Sequence, residues 1–155
     1  MQKPEFPKLS RQTVDRLKKL ADFLEHLKLP KKAKFNLRNW GEHVGKHAPT
    51  PTHCGTTACA IGWAALSGKF SKQGLRCRWV LAGNSSASNY YTLQIDDTDF
   101  LPELDDWEFW YGRTYWDWLF QVGSYKRGAT AKDVAKRIRT VLKEQPKEQP
   151  NAPQG

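Results

Sequence analysis

Cys54-Gly55-Thr56-Thr57-Ala58-Cys59-Ala60-Ile61-Gly62-Trp63-Ala64-Ala65 is the stretch on which the fold of this chain turns. Two of the three cysteines, two glycines and four alanines stand here, and no residue is charged. The preceding Ala48-Pro49-Thr50-Pro51-Thr52-His53 cannot continue a helix, because proline lacks a backbone N–H and restricts the residue before it. The block therefore predicts a helix from about Thr57 to Leu66, capped by Thr56 or Thr57 and closed at Gly68. A helix with so little polar face belongs in the middle of a domain. Ala58 and Gly62 are four residues apart, as are Cys59 and Trp63, so one face is small and admits a close neighbour. A helix start also offers unpaired N–H groups. Gly55, Thr56 and Thr57 are accordingly candidate anion-binding residues.

Outward from this block, Val14, Leu17, Leu20, Ala21, Leu24 and Leu27 recur at helical spacing, predicting an amphipathic helix over Ser10 to Lys28. Lys31 to Lys34 form a basic connector, after which Phe35, Leu37 and Trp40 are expected to return to the core and Gly41 to end the element. Residues 75–81 and 89–95 alternate like strands on either side of a polar glycine-serine tip, which predicts a β-hairpin packed on helices. Asp105 or Asp106 is expected to cap a helix containing Trp107, Trp110 and Tyr111, with a second short helix from Thr114 to Phe120. Thr130 and Asp133 have the spacing of a capping box and open a last helix with Val134, Ile138, Val141 and Leu142 on its apolar face. The fold class expected is α+β: one helix-rich domain over residues 8–143 with a buried central helix and one β-hairpin. Lys-Glu-Gln-Pro occurs at 143–146 and again at 147–150, and residues 144–155 read as a disordered tail.

The chain has 155 residues and a net charge of +9, unevenly spread. Residues 1–42 carry +6, residues 43–95 carry +5 without a single acid, and residues 118–155 carry +5. Residues 96–117 carry −7, so an acidic island interrupts a basic protein. The basic regions favour an acidic partner. Arg76, Arg78, Lys132, Lys136 and Arg139 are the candidate anion-binding side chains outside the central motif, and contact with nucleic acid through phosphates is one expectation they raise. No apolar run reaches membrane-spanning length and no secretory signal is visible, so a cytoplasmic protein without a membrane contact is expected. An odd cysteine count fits the same compartment.

Three further patterns bear on chemistry. His43, His47, Cys54 and Cys59 are residue types that hold zinc, though Cys-x4-Cys across a helix start is not a common zinc spacing. Cys54, placed before a helix start in a segment free of acids, is the one candidate nucleophile, with His43 or His47 as its base, His47 being the one carried forward. Against both readings, no orienting carboxylate stands nearby in sequence, and packing is the commoner use of such cysteines. No cofactor is expected. In residues 107–118, seven of twelve side chains are aromatic, more than one small interior easily holds. Trp110 and Phe120 are assigned inward. Trp107, Trp110, Tyr111, Arg113 and Trp116 are the candidate partner-binding set, because Trp and Tyr beside charges make up binding hot spots.

The central block resembles a group of small, mostly uncharacterised proteins of tailed phages and their hosts that share a Cys-Gly-Thr-x-Ala-Cys-x-x-Gly-Trp/His-Ala core. The likeness extends to Phe35-Asn36-Leu37-Arg38-Asn39-Trp40 upstream and to Trp118-Leu119-Phe120, Tyr125 and the 129–138 segment downstream. It implies a phage or mobile-element setting and a reducing cytoplasm, and it brings no activity to any residue. The function expected is that of a non-enzymatic accessory protein that binds a host protein, another host macromolecule or a nucleotide, in the setting of a host defence system. A thiol or zinc enzyme centred on Cys54 and a basic nucleic-acid-binding protein are the alternatives.

Overall fold

The computed structural model describes residues 2–49, 55–84, 88–105, 108–110 and 113–147. The first amphipathic pattern forms helix α1, Arg11–Glu25, whose N-cap Ser10 accepts a hydrogen bond from the Thr13 backbone N–H. Leu17, Leu20, Ala21 and Leu24 on one face are fully buried, as the spacing requires. The chain then makes strand β1, Lys34–Phe35, and strand β2, Gly41–Gly45. The central block splits into strand β3, Thr57–Ala58, and helix α2, Ala60–Leu66. Strands β4, Arg76–Asn84, and β5, Asn89–Asp96, pair antiparallel and realise the alternation seen in the sequence.

These five strands make one mixed sheet in the order β1-β3-β2-β5-β4, with β1 parallel to β3 and the other pairs antiparallel. Strand β4 is an outer strand of the sheet. A second, two-stranded unit joins β6, Glu108–Trp110, to β7, Arg113–Thr114. Helix α3, Tyr115–Phe120, and helix α4, Ala131–Glu144, each begin with a complete capping box, Thr114 with Asp117 and Thr130 with Asp133. Helix α4 lies along α1. Arg139 bridges Asp22 and Glu25 at 2.7 and 2.5 Å, while the Gln145 side chain accepts from Leu9 N–H and donates to the Pro7 carbonyl. One core joins Leu17, Leu24, Ile61, Phe70, Phe100 and Ile138 from across the chain.

The α+β class stands, and several details of the sequence reading are corrected. The expected β-hairpin is part of a five-stranded sheet, because β5 also pairs with β2 from Glu42↔Thr92 to Gly45↔Asn89. Residues 41–45 are thus a strand, and Gly41 opens it rather than ending an element. A Cβ at Gly41 would meet Leu93 Cβ at 2.7 Å, so glycine lets the two strands and the core close up. Trp40 is 47% exposed rather than in the core. Glu108–Trp110 forms a strand, where a helix capped by Asp105 or Asp106 was expected. Residues 148–155 of the expected tail lie outside the described residues. No helix among the described residues is long and apolar enough to cross a membrane.

Candidate functional site

The central motif works as a joint between helix and sheet. Helix α2 starts later than expected: Cys59, not Thr56 or Thr57, is its N-cap, and the Cys59 Sγ accepts from the Gly62 N–H at 3.4 Å. The thiol also points at the Trp40 carbonyl, 3.9 Å away. Gly62 presses on that same carbonyl. A Cβ placed there would stand 1.8 Å from Trp40 O. Trp63 completes the joint by donating its indole N–H to the Lys34 carbonyl at 3.2 Å. The Cys-x-x-Gly-Trp spacing thereby ties α2 to β1 and to the entry of β2. Burial pushes the Cys59 thiol pKa up despite the hydrogen bonds it accepts, which leaves it protonated and unreactive at neutral pH.

Because the helix begins at Ala60, the anion site expected at Gly55, Thr56 and Thr57 is not at a helix start. Thr56 is fully buried, and its carbonyl accepts from Lys34 N–H. Thr57 is in β3. His43, half-buried on β2, lies 3.4 Å from the Thr56 hydroxyl through Nδ1, with the Trp79 and Tyr91 rings each 6.4 Å away. Burial lowers its pKa, so it is neutral at pH 7. His47 is exposed beyond the strand, and the helix that would set it beside His43 does not form. No three metal-ligating side chains gather among the described residues. Cys54 lies outside them, and the pairing of Cys54 with His47 lies outside them too.

The remaining sequence-based candidates are scattered. Arg76 and Arg78 stand on the outer strand β4, where Arg78 donates to the Gln94 side chain at 2.7 Å. Lys132 is exposed on α4, and Arg139 is committed to Asp22 and Glu25. Trp107 and Tyr111 lie outside the described residues. Trp110 and Arg113 fall in β6 and β7, so they are strand rather than helix residues. Trp116 is buried at 6% exposure, its ring edge-on to Phe120 at 4.7 Å, which removes it from the surface. Part of the acidic island is spent on local structure. Glu103 accepts from Ser10 N–H and the Thr13 hydroxyl at the start of α1, and Asp117 caps α3.

Two cavities stand out that sequence reasoning missed. One, of about 420 Å3, opens between α2 and α3, with Leu37, Trp40, Ile61, Trp116, Phe120 and Val122 in its walls. Trp40 and Val122, both in its lining, are 47% and 40% exposed, an unusual state for two large apolar side chains around one hollow. The backbone of Trp40 is fixed by its contact with α2, so the indole is presented from a rigid base.

The second cavity, of about 500 Å3, lies against α4. At its floor, the Arg137 guanidinium is stacked between Trp118 and Tyr125, 4.4 and 3.5 Å from the ring centroids. Its Nη1 donates to the Trp118 carbonyl and the Ser124 hydroxyl, and its Nη2 donates to the Ser124 carbonyl. No carboxylate pairs with it among the described residues. Lys126, Arg127 and Lys136 share the lining, with Asp133 as the one acid. Asp133 accepts from the Thr130 N–H and hydroxyl, which hold its pKa low. Of the anion-binding residues read from sequence, this cavity brings in Lys136 alone. A legible signal existed: Lys126-Arg127-Gly128 ends two residues before Thr130, the start of the capping box. No known family, curated protein or solved structure matches the chain, so the geometry carries the functional reading.

Proposed function

We propose that this chain is a non-enzymatic accessory protein of a phage or mobile element that acts by binding a host macromolecule, with a host defence component as the setting. The resemblance of the central motif supports the phage setting. The observation that carries the binding reading is the exposed Trp40, which lines the α2–α3 cavity together with Val122. A tryptophan held from a fixed backbone, with room beside it for a partner's apolar side chain, has the make-up of an interface anchor. The partner chemistry that fits is a protein with an apolar side chain for the hollow and acidic flanks for a chain of net charge +9.

The test begins by capturing host proteins on the tagged chain and on Trp40→Ala, then re-measuring the captured protein in purified form by interferometry. Wild type is expected to bind, and Trp40→Ala to weaken binding by about tenfold or more with its thermal melting unchanged. Equal affinity of the two forms would remove Trp40 from the interface and the reading with it. A second reading, nucleotide binding, is favoured by the cations that gather in the cavity beside α4.

A further inference from the structure

We propose that the cavity against α4 binds a di- or triphosphate group, an inference that rests on the nucleotide reading and gives it a site. The argument starts from charge. A cation drawn partly out of water is normally matched by an acid or a bound anion. Arg137 has neither among the described residues; its bonds are to two carbonyls and a hydroxyl, which orient the guanidinium without neutralising it. Lys126, Arg127 and Lys136 add three cations to the same lining, and the Asp133 carboxylate is turned to the capping box. Lys3 also reaches the cavity but is paired with Glu144.

Four cations against one engaged acid suit a ligand of three to four negative charges, as a di- or triphosphate carries, better than a single phosphate. The volume of about 500 Å3 falls in the range of small-ligand sites, about 300–1,000 Å3. A duplex would meet only the rim of such a hollow. Trp118, only 5% exposed, lines it and, with Tyr125, holds the Arg137 guanidinium in place. Gly128 and Ala129 beside it lead into the N-terminus of α4, whose dipole favours negative charge. Trp118 and Tyr125 both stack on Arg137, so the ring faces are already used. Recognition therefore rests on the phosphates, with nucleotides and free polyphosphates as the two sources.

The experiment uses calorimetry on the full chain at about 0.15 M salt, with inorganic pyrophosphate, tripolyphosphate and a nucleoside diphosphate as separate probes. Arg137 is left in place because its loss threatens the fold. Lys126→Glu with Lys136→Glu tests the cavity, and Lys132→Glu with Lys143→Glu, outside its lining, imposes the same charge change. Pyrophosphate is expected to bind, the cavity pair to weaken it by about tenfold or more, and the control pair by less than about threefold. A nucleoside diphosphate much tighter than pyrophosphate identifies a nucleotide as the source; equal affinities identify a free polyphosphate. No binding of any probe at about 1 mM, or equal losses in both pairs, overturns the site. Such a failure leaves the Trp40 interface untouched, since that interface is scored by a different variant.

Discussion

Replacing Gly62 by alanine puts the central joint to its sharpest test, because two effects of known sign oppose each other. Within a helix, alanine is better than glycine by about 0.5–1 kcal/mol, so an open position would gain stability. Here the new Cβ would stand 1.8 Å from the Trp40 carbonyl oxygen, a separation that must open beyond 3.0 Å for any real contact. The opposing atom is backbone at the entry of β2, and it cannot rotate away as a side-chain tip would. Helix α2 must therefore back off the sheet, loosening the Cys59 cap and the Trp63–Lys34 hydrogen bond together. Overpacking of this kind costs about 1–3 kcal/mol, and a rigid backbone partner places it at the upper end. After the helix gain is deducted, Gly62→Ala should lose about 2 kcal/mol. Urea unfolding followed by tryptophan fluorescence measures it, with Gly83→Ala as the reference, where a Cβ meets nothing within 4 Å. A Gly62→Ala protein as stable as wild type, or more so, would refute the close approach.

Other substitutions separate neighbouring effects. Arg137→Ala should cost about 3 kcal/mol in urea unfolding, since three charged hydrogen bonds and two stacking contacts go at once. Arg139→Ala, two residues on, should cost less than about 1 kcal/mol and lose even that in high salt, because its ion pairs face solvent. Glu103 has its pKa raised by burial and lowered more by hydrogen bonds from Ser10 and Thr13, for a net shift below the ordinary 4.5. Its contribution is therefore present above that value and lost as pH falls through the lower folded one. Stability curves of wild type and Glu103→Gln should accordingly differ at pH 6 and draw together only as pH falls through the lowered folded pKa of Glu103; parallel curves would contradict the assignment. Cys59 in the folded protein should resist iodoacetamide at pH 8, with peptide mass mapping showing its modification only as fast as unfolding.

Local signals in the sequence were legible where neighbours in the chain settle the outcome. Both capping-box helices, the face of α1 and the alternation of β4 and β5 follow from spacing alone. The start of α2 was not legible, because a thiol ranks low among capping groups and Thr57–Ala58 becomes a strand only through β1 and β2. Trp40 misleads for a related reason: its carbonyl, not its indole, makes the core contact. Trp116 enters the partner-binding set because the aromatics outnumber what one interior holds, yet it sits four residues from Phe120 on the buried side of α3. Arg137 hides in a run of basic helix residues, since nothing local reveals that Trp118 and Tyr125 close around it.

The pairing of α1 with α4 has a consequence for the order of events in synthesis. The apolar face of α1 is made well before α4, yet much of the surface that covers it belongs to residues 134–141, and the Gln145 bonds to Pro7 and Leu9 come later still. Such long sequence separations slow folding, because the intervening chain must be looped before any contact repays the entropy lost. Until Glu144 has emerged, Leu17, Leu20 and Leu24 are an exposed sticky stripe on a nascent chain, the kind of segment that chaperones shield. Helix α1 is thus completed only once α4 has been made.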